Sequence, residues 1–371
     1  MIPAGTPMDF ALLGPNAAVL AAAVALDLVL GDPVYPAHPI RLMGRSATFL
    51  EACLRAMDLD GYAGGVLLGL SMVVLWCGAT GAALIGIHAW SDATAFVLQV
   101  YLVYSLLALR NLLDHAWAVE KAARDGDLPG ARHAISMLVG RDTDHLGFAE
   151  CRRAAIESVS ENLTDGYVSA LFWYAVGGLP GLLAFKVFST LDSMVGNRSE
   201  RYVRFGWFSA RMDDVLNWLP ARLTWLLVAL TALFVPRCSA RKALALGWRQ
   251  HGVLPSPNSG WSEAATAGAL GRRLVGPIRM GGLLVTELWL GDPADPPAGE
   301  DESDLRRAAV LCTATGLLTA VLCIGALRWG LGSELPHARS SQVPEAWLLP
   351  GSGMNSPASP LLDSMARCAS A

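Results

Sequence analysis

The stretch Glu157–Gly181, ESVSENLTDGYVSALFWYAVGGLPG, decides the fold, because it runs from a row of acids straight into a segment apolar enough for lipid. Glu157, Glu161 and Asp165 recur every four residues, so on a helix they share one face. The apolar run Gly166 to Leu191 that follows is interrupted by Gly177-Gly178-Leu179-Pro180-Gly181. Glycine and proline in mid-membrane are tolerated where protein or a cavity satisfies the freed backbone groups, so this segment reads as a broken or re-entrant helix.

Outward from this stretch, four segments reach the length of about 20 apolar residues that a bilayer crossing needs. They are Phe10 to Leu30, Tyr62 to Trp90, Ala93 to Leu113 and Ala308 to Trp329. Leu223 to Val235 is short unless Val215 to Pro220 joins it. The whole chain agrees: of its 371 residues 53% are hydrophobic and 16% charged, with mean hydropathy +0.40, against about a quarter charged in soluble domains. The expected fold is an all-α polytopic membrane bundle of five or six transmembrane helices with helical cytoplasmic loops. It forms a single membrane-embedded domain over 1–330, followed by a disordered tail over 331–371.

Charge sets the orientation. Arg110 to Arg153 holds seven Lys and Arg residues, Gly31 to Gly61 holds three, and Ser91 to Asp92 holds none. The N-terminus is therefore expected outside the cell (inner) membrane, with loops 31–61 and 114–165 in the cytoplasm. The side of 237–307 stays open. The first Lys or Arg is Arg41, so the first apolar segment lacks the positive start of a cleaved signal and is read as a retained anchor. The net charge of −4 with dispersed Lys and Arg excludes a nucleic-acid surface. The seven cysteines stand singly, without zinc-finger spacing.

The extramembrane loops read as helical. Loop 114–165 is rich in Ala, Leu, Arg and Glu, with turns at Gly126 to Gly130 and Gly140 to Asp144. Asp144 is the expected N-cap of a helix running to about Asn162. Loop 237–307 begins as a helix, turns at LPSPNSG, continues as the small-residue helix WSEAATAGALGRRL, and ends in a Pro/Asp/Glu-rich linker from Gly291 to Asp304.

Like charges four apart repel, so the acidic row needs a cation. Two readings stand side by side: neutralisation by Arg152, Arg153 or other loop arginines, and binding of a divalent ion carried by a nucleotide. Mg²⁺ takes one or two carboxylates together with phosphate oxygens. Nearby, GRDTDHLG (Gly140–Gly147) gathers Arg141, Asp142, Asp144 and His145 around a turn. Lys186 falls inside an apolar run, where a charge faces a cavity or a partner. The next forty residues hold Asp192, Arg201, Tyr202, Arg211, Asp213, Asp214, Asn217 and Arg222. Arginines there also suit lipid phosphates, but the aspartates do not. In SPNSGWSEAATAGALG, Asn258 occupies a turn before a helix whose small side chains allow a ligand close. His38, between Pro36 and Pro39, reads as structural.

Several blocks together resemble the CbiB/CobD family of cobalamin biosynthesis, the adenosylcobinamide-phosphate synthases: LDLVLGDPVYPAHPIRLMG, GRDTDHL, RAAIESVSENLTDG, STLDSMVG, RYVRFGWFSARMDDVLNWLPARLT and SPNSGWSEAATAGALG. They run in order from about Asp27 to about Gly282. Ser189, Phe185 and Ser262 depart from the residues common in the family. The resemblance implies an ATP-dependent ligase joining adenosylcobyric acid to (R)-1-amino-2-propanol O-phosphate or a close aminoalcohol, with ATP and Mg²⁺ as cofactors. It also implies corrinoid and aminoalcohol substrates and, as partners, other late cobalamin-pathway membrane enzymes.

Residue by residue, the resemblance carries over Asp32, His38, Arg41, Arg141, Asp142, Asn162, Lys186, Ser193, Arg201, Tyr202, Arg211, Asn217, Arg222, Asn258 and Glu263 for substrate and phosphate. Glu157, Glu161, Asp165 and Asp192 are expected to position metal and phosphates, with Mg²⁺ on Glu157, Glu161 and Asp165. Asp213 or Asp214 is expected as the base. Two other classes compete. A transporter would use the broken helix and Lys186 but should show two matched halves, and no internal repeat is present. A non-catalytic regulatory or sensor protein of the same topology should have eroded polar blocks, and here they are intact.

Overall fold

The computed structural model describes residues 10–32 and 35–330; the expected tail 331–371 lies outside them. A short helix α1 (Phe10–Leu13) leads into α2 (Ala17–Leu30), which starts where the Asn16 side chain accepts the Ala18 and Val19 N–H groups. Then come α3 (Pro39–Ala56), α4 (Tyr62–His88), α5 (Asp92–Tyr104), α6 (Leu109–Arg124), α7 (Leu128–Ser136) and α8 (Phe148–Asn162). A turn of π-helix, Leu163–Val168, joins α8 to α9 (Ser169–Val195), and α10 (Trp207–Thr231), α11 (Ala240–Gln250), α12 (Ser259–Leu270) and α13 (Ser303–Arg328) follow.

Four stretches are long and apolar enough to cross a membrane: Tyr62–His88, Asp92–Arg124, Phe148–Val195 and Ser303–Arg328, with Ala17–Leu30 as a shorter apolar helix. Only 22% of the α4 window is buried within the protein, so most of that helix offers its side chains to lipid. The molecule is a helical membrane protein. The expected span Ala93 to Leu113 is divided at Ser105–Ala108, where α5 ends and the amphipathic α6 begins. There the buried Asp27 carboxylate faces the Leu109 and Arg110 N–H groups that open α6, without reaching strict hydrogen-bond geometry.

The interrupted segment is a helical hairpin. Gly178 takes φ 60° and ψ −151°, a region open to glycine alone. Lys186 Nζ donates to the Gly166 carbonyl at 3.0 Å, whereas twenty residues of unbroken helix would span about 30 Å. The chain therefore folds back between them. A Cβ on Gly178 would lie 2.2 Å from the Leu13 carbonyl oxygen, so the turn is packed on the backbone before α2. With α9 counted as two arms, α2, α4, α5, α9 and α13 make six passages.

That arrangement returns the polar loops to one side, answering the question left open for 237–307. Asp142 N–H donates to the Arg279 carbonyl at 3.0 Å, and Val275 N–H donates to Glu157 at 2.8 Å, so loops 114–165 and 237–307 touch. α10 includes Val215 to Pro220 but is not among the helices apolar enough to span.

Two expectations for loop 237–307 need correction. Four short strands occur in it: β1 (Leu274–Val275) pairs with β4 (Trp289–Leu290), and β2 (Ile278–Met280) pairs with β3 (Leu283–Thr286). The segment after Gly291 is an ordered strap: Lys242 holds Asp295 at 2.8 Å, and Arg273 N–H donates to the Pro296 carbonyl at 2.9 Å.

Replacing Gly178 with Ala should cost on the order of 1–3 kcal/mol and lower the melting temperature in detergent. Gly177→Ala should be tolerated, because a Cβ there meets nothing within 4 Å. Equal melting temperatures for the two variants would contradict the hairpin.

Candidate active site

α8 begins at Gly147, whose N–H donates to the Glu150 carboxylate at 2.8 Å, rather than at the expected cap Asp144. From this start Glu157 and Glu161 fall on one face, as their spacing requires. Opposite them α12 presents Glu263. Together with Arg141, Ser256, Ser259 and Val275 these acids line a cavity of about 480 Å³.

Glu157 is neutralised. Arg141 Nη2 donates to one oxygen at 2.7 Å, and Val275 N–H donates to the other at 2.8 Å. Arg153 lies 3.8 Å away and donates mainly to the Val275 carbonyl at 3.1 Å, while Arg152 turns to the buried Glu120 at 2.9 Å. The arginine reading thus accounts for Glu157 alone. Among the described residues, Glu161 and Glu263 form no ion pair. Burial, reinforced by the Glu161 and Glu157 charges, pushes Glu263 well above the ordinary carboxylate range.

Among the described residues no three Asp, Glu, His or Cys side chains form a ready metal cage. Because both oxygens of Glu157 are taken, the acids that fit Mg²⁺ are the free Glu161 and Glu263, with Asp165 adjoining, and phosphates would complete the shell. The small residues of α12 have another purpose than ligand approach. A Cβ on Gly268 would lie 2.4 Å from the Lys242 carbonyl oxygen, so they let α11 and α12 pack backbone to backbone.

The π turn carries Asp165, and such turns frequently mark functional positions. Asp165 lies within charge–charge range of Asp213, Glu161, Asp192 and Lys186, so it links the cavity to a second polar group. In that group Ser169 Oγ donates to Asn217 Oδ1 at 2.6 Å, and Asn217 Nδ2 donates to Asp213 Oδ2 at 3.0 Å. The other oxygen of Asp213 has no partner. Asp214 instead pairs with Arg211 at 3.3 Å, and its carbonyl accepts from Asn258 Nδ2 at 2.8 Å. A neighbouring pocket of about 390 Å³ holds Arg198, Tyr202, Arg211 and Asp214 and shares Pro255 and Ser256 with the acidic cavity.

Other expected residues lie apart. Arg201 and Tyr202 reach the buried Glu51 on α3 at 3.0 and 3.5 Å. His38 accepts the Ile40 N–H as the cap of α3 and contacts Asp32 at 2.8 Å. Arg41 is exposed on the first turn of α3. Ser193 bonds back to the Ser189 carbonyl, and Asn162 to Ser158. Arg222 stacks between Trp218 and Trp261, 4.1 and 4.9 Å from their ring centres. Asp142 holds the β2–β3 turn through the Gly282 N–H at 2.7 Å. Sequence reasoning missed Val275, Glu51 and Arg198. Glu51 had a signal, since Arg55 follows it at helical spacing; Val275 acts through its backbone and had none.

The family model described as CobD/Cbib protein matches residues 20–312. The cobalamin biosynthesis protein CobD of Pelobacter propionicus is 42% identical over 319 residues, covering 84% of this chain and 96% of its own. CobD of Klebsiella pneumoniae is 40% identical over 314 residues (83% and 96%), and the cobalamin biosynthesis protein CbiB of Salmonella typhi 40% over 312 (82% and 95%). No solved structure matches the chain.

Glu263 makes stability depend on pH. Its folded-state pKa is raised, so the folded protein keeps a proton that the unfolded chain releases, and stability falls as pH climbs from the ordinary glutamate range towards the raised value. Glu263→Gln removes that loss. Its melting temperature should exceed the wild type's at about pH 8 by a few degrees and approach it at about pH 5. Differential scanning fluorimetry in detergent checks this, and a gain that ignores pH would contradict it.

Proposed function

The chain belongs to the CobD/CbiB protein family, and on that premise we propose that it acts in cobalamin biosynthesis as the ATP-dependent ligase that joins adenosylcobyric acid to an aminopropanol phosphate or close aminoalcohol. The observation that supports this best is convergence: acids from α8, the π turn, α10 and α12 gather on one side of an apolar bundle. A carboxylate does not condense with an amine in water, so ATP has to convert it to an acyl phosphate or adenylate first. Such a step calls for cations at the phosphates and a base at the amine.

Glu161 and Glu263 are the residues to hold Mg²⁺, which when bound screens phosphate charge. Arg141 at the cavity wall and Arg211 with Arg198 in the adjoining pocket suit the phosphates. Asp213 fits the base better than Asp214, because Oδ1 of Asp213 is free whereas Asp214 is paired with Arg211. Buried Lys186 supplies positive charge beside Asp165 and Asp213. A transporter would line its path with the broken helix, but the break at Gly178 is packed against Leu13 and Gly14. The site faces the cytoplasm in this proposal, where ATP is available.

Purified protein incubated in detergent with adenosylcobyric acid, Mg-ATP and aminopropanol phosphate should form adenosylcobinamide phosphate while consuming nucleotide, both read by mass spectrometry. Asp213→Asn should lower the rate by about 10²-fold or more, and Glu161→Gln should abolish product. Absence of any amide from the wild type would remove the ligase reading.

A further inference from the structure

The β2–β3 hairpin leaves its apolar side chains uncovered: Met280 is 50% exposed, Leu283 74%, Leu284 49% and Val285 59%. Ile278 and Met280 nevertheless line the acidic cavity. The register pairs Met280 with Leu283, and paired residues on neighbouring strands point to the same face. The apolar surface of the hairpin is thus a continuation of the cavity wall, extending past its rim.

The hairpin is also tied to the acids at both ends. At its turn, Gly282 N–H donates to Asp142 Oδ2 at 2.7 Å and Asp142 N–H donates to the Arg279 carbonyl at 3.0 Å. The neighbouring Arg141 neutralises Glu157. At its base, Val275 holds φ 68°, a costly conformation for a β-branched residue. Glu157 on its N–H and Arg153 on its carbonyl keep it there.

We propose that this hairpin is the apolar wall of the acidic site, and that its occupant is a wide amphipathic small molecule. The apolar face of that molecule covers Met280 and Leu283, and its polar rim enters among Arg141, Glu161 and Glu263. The proposal rests on the ligase reading, which makes that molecule adenosylcobyric acid. A bilayer or a protein could cover Leu284 and Val285 from outside, but neither would reach the cavity side of Met280.

The test uses the wild-type chain in lipid nanodiscs. Arg279 is exposed on β2 and open to trypsin. Cobyric acid should slow cleavage after Arg279 by about tenfold at saturation, and Mg-ATP alone should not. Met280→Ser and Leu283→Ser should each weaken cobyric acid binding by about tenfold, read by equilibrium dialysis with corrin absorbance. If the wild type binds cobyric acid but cleavage and both variants are unaffected, the hairpin proposal falls and the ligase reading stands. If the wild type binds no cobyric acid, both fall. Protection by anionic vesicles and none by cobyric acid would make the bilayer the occupant and overturn the proposal.

Discussion

An ammonium group inside an apolar bundle must find an acceptor, and Lys186 finds the Gly166 carbonyl. That one bond joins the two arms of the α9 hairpin close to their polar ends. Asp165 precedes Gly166 by one residue, and Asp192 follows Lys186 by two turns of helix. Folding the segment back on itself therefore brings acids that are far apart in sequence to one end of the bundle. Without the reversal at Gly178, Asp165 and Asp192 would stand about 40 Å apart on a straight helix.

Ion pairs outside the bundle fix the parts that face this end. Asp304, fully buried at the start of α13, accepts from Arg272 at 2.9 Å and is flanked by Arg307, and its carboxylate also takes the Gly299 N–H at 3.0 Å. Arg272 follows directly on the end of α12, so this knot orients the helix that carries Glu263. Glu120 and Arg152 make a comparable buried pair between α6 and α8. Losing one partner of such a pair leaves a charge stranded in low dielectric, which costs far more than losing a surface contact. The Glu161–Glu263 cavity is in this sense a gap between two braced helices.

Much of this was legible in the sequence. The apolar runs gave the spans, and Gly177-Gly178-Leu179-Pro180-Gly181 signalled a break because no other residue accepts the Gly178 conformation. Helical spacing put Glu157 and Glu161 on one face. Partner choice was not legible, since the 150 residues between Glu51 and Arg201 carry no periodic signal linking them. The same spacing that suggested Arg153 as the partner of Glu157 also fitted Arg141 less directly, and only packing decided for Arg141. The strands at 274–290 were hidden because a bulge between Ile278 and Arg279 disrupts the alternation that marks a strand. The small residues of α12 suggested a ligand, yet they answer to the backbone of α11. Burial by a neighbouring helix and burial by a ligand favour the same residue types.

The six-passage path has a consequence for biogenesis. The turns on the far side between passages are Ala89–Ser91, between α4 and α5, and Gly177–Gly181, between the arms of α9. Both are uncharged. Every internal block rich in Lys, Arg, Asp or Glu can stay on the side where it was synthesised, so insertion threads only short neutral loops through lipid. The machinery that installs this chain need never export a charged internal loop.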